Sequence, residues 1–395
     1  MIKKYLLLLV LTVNATISFA DSSTKVTVKK AVNDYISSHF MNGVYMFADD
    51  NGIITQGAKG LYSLALNKKL TPNQVMPIAS ATKPMTAYII LKLNDEKKLN
   101  VHDTIATHLD ANSGIWENSV VPEWAHKVTI HNLLTHRSGL PEYFLAVPID
   151  ITKAYSDIKK DIANFMATKD LSFEPGTQHH YCNTNFTFLG LLIEKIRGED
   201  LAQVFKKEIF DPLGMNNTQL ISLELAVKYQ NTPEQMPYPI RYFITPNGTK
   251  KPVFTLAKAP TIMIPYADGG VISTTEDLIK WHKALHSHKF LSEEAYKLMT
   301  TKHYEVKNID GIKTSIGYGL FVTELANGTL IYQHAGSAVA MRCEAGYIPS
   351  KDLYFAVISN VMNYVPQEMQ DKIDMTQSVN QLDIFNFTNY VFNAI

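Results

Sequence analysis

Cysteine is scarce: the 395 residues contain two, Cys182 and Cys343. Two thiols in so long a chain make no disulfide framework; unpaired thiols are the expected state, and pairing in an oxidising compartment is the alternative. Excess charge of either sign is absent, since 37 Lys and Arg balance 37 Asp and Glu. No global field therefore draws the chain to nucleic acid or to an anionic membrane, and neither is expected as a partner. There is no Cys-x-x-Cys and no Asp-rich loop, and the adjacent His179-His180 pair has ligand spacing on neither a helix nor a strand. Neither a metal nor any other cofactor is expected. Internal repeats and low-complexity tracts are missing too.

Long hydrophobic runs are also lacking. One apolar stretch, Tyr5 to Val13, is too short to span a bilayer. Lys3 and Lys4 precede it, and Ser18-Phe19-Ala20 puts small residues at positions −3 and −1 before Asp21. Residues 1–20 thus read as a cleavable secretory signal. The expectation is an exported mature chain, periplasmic or secreted, with no stable membrane anchor once the signal is removed. The composition, 46% hydrophobic and 19% charged, is that of a globular protein, and the length suits one large domain or two lobes.

Along the chain, Lys25 to Phe40 has the period of an amphipathic helix. Gly43 to Ala48 and Ile53 to Ala58 flank Asp49-Asp50-Asn51-Gly52 and predict a hairpin. From Val101 to about Ile262 the pattern is mostly helical. It includes a helix over Val128 to Leu140 that stops at Gly139 and another over Phe186 to Ile196, while Asn231 to Lys258 reads as long loops. Asp268-Gly269-Gly270 is a turn before a helix capped by Thr274 or Thr275. Strands return at Ser315 to Val322, Thr329 to His334, Met341 to Ile348 and Leu353 to Ser359, and Asp383 to Phe392 predicts a closing helix. Strands at both ends around a helical middle indicate an α+β fold. An antiparallel sheet would be built from N- and C-terminal segments (about 21–105 and 265–395) and flanked by helices, with a mostly helical lobe (about 106–264) inserted. A site is expected in the cleft between the lobes.

Ser80-Ala81-Thr82-Lys83 supplies the chemistry. A helix starting at Ser80 places its hydroxyl and the Lys83 amine one turn apart on the same face, a nucleophile beside a base. Ser-x-x-Lys recurs at Ser22 and Ser156, but only the match at Ser80 leads into a long apolar helical run, Met85 to Leu93. Pro84 is tolerated in the first turn, and the positive helix end would favour an oxyanion.

Two further motifs follow in order, Tyr181-Cys182-Asn183 and His334-Ala335-Gly336-Ser337, together with Leu133 to Leu140, Asp211-Pro212-Leu213-Gly214-Met215 and Asp268 to Asp277. As an ordered set, from about Val44 to Asn360, they resemble the serine β-lactamase and penicillin-recognising family. The nearest branch is that of class C β-lactamases, D-Ala-D-Ala carboxypeptidases, D-aminopeptidases and esterases. Acyl transfer needs a nucleophile, a proton acceptor and two donors for the oxyanion. Ser80 is the candidate nucleophile, and Lys83 and Tyr181 share the proton transfer, with the base open between them. The Asn183 amide can both donate to and accept from a substrate amide. The resemblance implies an oxyanion hole of the Ser80 and Ser337 backbone N–H groups, with Gly336 and His334 in the same motif. His136 and Arg137 are expected to brace the lobe, and Asp268 to form a turn.

The sequence departs from the family at His334, where class C β-lactamases carry a Lys. Histidine is only partly charged near neutral pH, which favours the peptidase and esterase branches. The run Ser337-Ala338-Val339-Ala340-Met341 also lacks the glycines common there, which would narrow the edge of the cleft. The expected activity is that of an exported serine hydrolase working through an acyl-Ser80 intermediate, with a D-Ala-D-Ala carboxypeptidase-like or other D-peptidase reaction first. An esterase or β-lactamase on the same machinery is the alternative, and a non-catalytic binding protein the third. The partners are small peptide, ester or β-lactam substrates.

Overall fold

The computed structural model describes residues 22–39, 41–63, 67–144, 146–147, 153–222, 224–225, 240–244, 250–253, 266–309, 311–338, 341–364 and 384–395. Residues 1–20, expected to be a signal, lie outside them. Helix α1 (Ser22–Ser38) leads into strands β1 (Gly43–Asp49) and β2 (Gly52–Lys59), the expected hairpin. A 3-10 turn, Ala79–Thr82, runs directly into α2 (Lys83–Asp95). The middle of the chain holds α3 (Ile130–Leu134), α4 (Tyr155–Ala167) and α5 (Asn183–Arg197). Next come α6 (Thr275–His286) and α7 (Glu293–Thr300), followed by strands β3 (Tyr304–Ile309), β4 (Ile312–Ile316), β5 (Phe321–Glu324), β6 (Leu330–Ala338), β7 (Met341–Ile348) and β8 (Leu353–Ser359). Helix α8 (Ile384–Ala394) closes the chain.

The eight strands form one antiparallel sheet in the order β3-β4-β5-β6-β7-β8-β1-β2, so the N-terminal hairpin adds to the edge of the C-terminal meander. The joint is β1 on β8, with Tyr45 opposite Val357 and Phe47 opposite Phe355. Alternate residues of a strand face opposite sides, and here both sides are covered. Tyr45, Phe47, Phe355 and Val357 pack with Val28, Val32 and Tyr35 of α1 and Phe387 and Val391 of α8. Val44, Met46, Ala356 and Ile358 face the main core with Leu278 and Trp281 of α6 and the apolar length of α2. Full burial of β1 and β8 explains why both read as nearly continuous apolar runs. Among the described residues no helix is long and apolar enough to cross a membrane.

Several elements differ from expectation. The helix at Ser80 begins at Lys83, with Ser80 in the preceding 3-10 turn. The helix expected over Val128 to Leu140 is the short α3, started by a reciprocal cap between Thr129 and Asn132 and followed by His136 at φ +55°. Ser315 to Val322 is two strands, because Gly317 and Gly319 turn the chain and Gly319, at φ +69°, lies against the Lys83 carbonyl. Within the stretch read as loops, Ile240–Ile244 and Lys250–Val253 pair as strands, the first also running parallel to Val361–Tyr364. That pairing joins segments over a hundred residues apart, so no local pattern announces it.

Candidate active site

The segment carrying Ser80 is held on both flanks. Met76 and Pro77 pair with Ser273 and Ile272, and Ile78 N–H donates to the Val271 carbonyl over 3.0 Å. On the other flank lies β6. A Cβ on Gly336 would fall far inside contact with the Ile78 carbonyl oxygen, 2.9 Å from the Ile78 carbonyl carbon and 3.2 Å from Ala81 N. Only glycine allows this approach. Ala79, one residue before the candidate nucleophile, sits at φ +48°, a strained backbone for a residue with a Cβ.

In the 3-10 turn, with three residues per turn, Ser80 and Lys83 are aligned more closely than in an α-helix. Lys83 Nζ lies 3.0 Å from Ser80 Oγ, 2.8 Å from Asn183 Oδ1 and 2.6 Å from the Asp268 carbonyl oxygen. Lys83 is fully buried, whereas Ser80 is partly exposed. The three contacts define what the amine can do. Asn183 Oδ1 and the Asp268 carbonyl can only accept, so they occupy two N–H groups whether Lys83 is amine or ammonium. The third position faces Ser80 Oγ, where the proton can sit on either atom. That is the geometry of proton transfer between nucleophile and base.

Asn183 opens α5 and is held by a residue that the sequence reading did not single out. Glu142 Oε2 accepts from the Asn183 backbone N–H at 2.8 Å and from Nδ2 at 3.1 Å. A carboxylate on one side and the Lys83 amine on the other fix which end of the amide points where. With Oδ1 on Lys83 and one N–H of Nδ2 on Glu142, the second N–H of Nδ2 is what remains to meet a substrate. The Pro141-Glu142-Tyr143 stretch directly after Ser138-Gly139-Leu140 was the available signal, but nothing local ties Glu142 to an Asn forty-one positions on.

Tyr181 places its ring 5.0 Å from Lys83 Nζ and stacks on His136 with ring centroids 4.3 Å apart. His136 is buried, and its Nδ1 lies 3.1 Å from the Cys182 carbonyl oxygen and 3.2 Å from Asn185 Nδ2. Burial, with Lys83 and His334 adding to it, holds His136 well below the usual histidine range, so it serves as a neutral platform. Instead of bracing the lobe remotely, His136 touches the candidate proton-transfer group. Arg137 does brace: it donates to the Gly176 carbonyl and lies over the Tyr304 ring.

His334, on β6, is buried with its ring centroid 6.2 Å from that of Tyr181 and 5.0 Å from that of Phe321. Burial, then the nearby Lys83 charge, pushes it down to about 3. It is neutral at physiological pH, a stronger departure from a lysine than its ordinary titration range suggests. Gly336 and Ser337 follow on the same strand, Ser337 exposed and opposite Arg342. The structure therefore brings Ser80, Lys83, Tyr181, Asn183, His334 and Gly336 together, with Ser337 next in line. Val339 and Ala340, expected to narrow the cleft, lie outside the described residues. Cys182 and Cys343 are both free and buried. Among the described residues no group of three His, Cys, Asp or Glu side chains could hold a metal ion.

The site sets a serine hydroxyl against a buried lysine amine beside an antiparallel sheet, and the family match agrees with that fold. The chain belongs to the Beta-lactamase family, whose model matches residues 28–378. It is 26% identical over 306 residues to penicillin-binding protein 4* of Bacillus subtilis (strain 168), covering 75% of this chain and 63% of that protein. It is 24% identical over 312 residues to a D-aminopeptidase of Brucella canis, covering 78% of this chain and 54% of that one. The chain thus spans between half and two thirds of the length of these curated relatives. In structure it is similar to the D-amino acid amidase of Ochrobactrum anthropi SV3, with a TM-score of 0.71 over 94% of this chain and 98% of that one at 18% identity, a likeness of fold.

Proposed function

We propose that the protein hydrolyses amide or ester bonds of small D-amino-acid substrates through an acyl-Ser80 intermediate. The observation that carries this reading is the Lys83 amine, held by Asn183 and the Asp268 carbonyl so that its remaining position meets Ser80 Oγ at 3.0 Å. In acylation the Ser80 hydroxyl proton passes to Lys83 Nζ, directly or by way of Tyr181, as Oγ bonds to the substrate carbonyl carbon. The oxyanion is met by the Ser80 and Ser337 backbone N–H groups, donors worth on the order of 3 kcal/mol each in such sites. The carbon–nitrogen or carbon–oxygen bond then breaks, and the proton leaves on the departing amine or alcohol. Water attacks the ester, returning the Ser80 hydroxyl and releasing the acid. Asn183 Nδ2 donates to the substrate's own amide.

The neutral His334 bears on the choice of substrate. A peptide ending in a carboxylate, or a β-lactam with its carboxylate, finds no positive charge in His334, whereas amides, esters and amino-terminal D-residues need none. A D-aminopeptidase is among the proteins similar in sequence, and a D-amino acid amidase shares the fold, which supports the same direction. The Lys3-Lys4, Tyr5 to Val13 and Ser18-Phe19-Ala20 pattern supports export by a cleaved signal. Steady-state hydrolysis of D- and L-phenylalanine amide, a D-Ala-D-Ala-terminated peptide, a short p-nitrophenyl ester and a chromogenic cephalosporin tests the reading. Turnover of the D-amide and the ester with Ser80→Ala inactive is expected. Preference for the carboxylate-bearing peptide or the cephalosporin would overturn the substrate assignment.

A further inference from the structure

Asp268 lies beneath the site, and its side chain is not explained by a turn. The residue is buried, and its backbone carbonyl takes one N–H of Lys83. Its carboxyl Oδ2 accepts from the Tyr143 hydroxyl at 3.1 Å, while Oδ1 is buried without a hydrogen-bond partner. An asparagine would accept the Tyr143 proton equally well and could use its second polar atom as a donor. What aspartate adds is a charge, and a buried charge costs several kcal/mol unless an opposite one is near. The charged and titratable groups facing it are Lys83 from α2, Glu142 and Tyr143 from the loop after α3, and Tyr155 from α4. Lys83 is the one group among them that can carry a positive charge. Glu142 is committed to Asn183, and the two tyrosines are held neutral by burial.

We propose that Asp268 is a positioning residue whose carboxylate balances the ammonium formed when Lys83 takes the Ser80 proton. The inference rests on the acyl-Ser80 reading. It makes Tyr143 a second positioning residue, since its hydroxyl favours the ionised carboxyl. Burial raises Asp268 to about 6, with Lys83 and then Tyr143 opposing that rise. Acylation should then slow as pH falls through that value, where the counter-charge is lost.

The test is the pH dependence, from 5 to 9, of the rate at which a fluorophosphonate acylates the full chain, followed by intact mass. Here Ser80 Oγ bonds to phosphorus, fluoride leaves and the proton goes to Lys83. Wild type should show an acid limb near pH 6. Asp268→Asn should be slower by on the order of 10-fold at pH 8, the equivalent of one pKa unit of lost stabilisation, and lack that limb. Tyr143→Phe, which removes one hydroxyl and is the variant better placed to fold, should move the limb to higher pH. A merely structural role would lower thermal stability and leave the limb where it is. If wild type acylates but Tyr143→Phe keeps the limb in place, the counter-charge role is wrong. If wild type forms no adduct at all, the acyl-Ser80 reading falls and this inference with it.

Discussion

Gly336→Ala tests whether the close approach of β6 to the Ser80 turn sets the reaction geometry. The added Cβ meets backbone atoms, the Ile78 carbonyl and Ala81 N, so no side-chain rotamer relieves the clash. Strand and turn have to separate by more than about 1 Å to restore van der Waals contact. The turn is pinned on its far side by the Ile78 N–H to Val271 bond, and the strand by its pairing with β7, Gly336 opposite Cys343. Overpacking of this kind costs about 1–3 kcal/mol of stability. The larger effect falls on chemistry, because the two proposed oxyanion donors, Ser80 N–H and Ser337 N–H, sit on the two parts being driven apart. A misplacement of about 1 Å costs on the order of 100-fold in rate. Single-turnover acylation by a p-nitrophenyl ester, with thermal unfolding in parallel, measures both. A variant that acylates at the wild-type rate with an unchanged melting temperature would refute the reasoning.

Three further outcomes are expected. Tyr181→Phe should slow acylation by about 100-fold or more while leaving denaturant stability within about 1 kcal/mol, since its ring still stacks on His136; a wild-type rate would remove Tyr181 from the proton path. His334 is neutral when folded but takes a proton near 6.5 when unfolded, so the unfolded state binds more protons below that pH and stability falls as pH drops. His334→Gln should therefore lose about 2 kcal/mol less than wild type between pH 7 and pH 5, measured by urea unfolding, and equal losses would contradict the buried neutral imidazole. Lys159, buried on α4, contacts Glu194 of α5 at 2.7 and 2.8 Å. Lys159→Met strands that carboxylate and should cost about 3–5 kcal/mol, seen as a lowered urea midpoint; a near-neutral change would show that water screens the pair.

The parts of this site legible in the sequence are those whose spacing is fixed inside one element. Ser80 and Lys83 are three residues apart in one turn, Tyr181 and Asn183 flank one helix start, and His334 and Gly336 share one strand. Their order along the chain added the rest. Glu142 and Asp268 escaped because they act across the fold, Asp268 through a backbone carbonyl 185 positions from Lys83, and a carbonyl leaves no mark on residue type. His136 was set aside because its role is a stacking contact with a ring forty-five positions on. The antiparallel sheet followed from alternating or apolar strand-like runs at both ends of the chain. The break at Gly317 and Gly319 did not, because strand-like letters continue across it and only the contact of Gly319 with α2 demands the turn. The parallel pairing of Ile240–Ile244 with Val361–Tyr364 rests on tertiary placement alone.

The account turns on Ser80 as the atom that becomes acylated. Intact mass after exposure to a fluorophosphonate, followed by peptide mapping, tests this directly. A single adduct on the peptide containing Ser80, absent in Ser80→Ala and strongly slowed in Lys83→Ala, is the predicted result. No adduct on the folded wild-type protein, or an adduct that persists in Ser80→Ala, would contradict it.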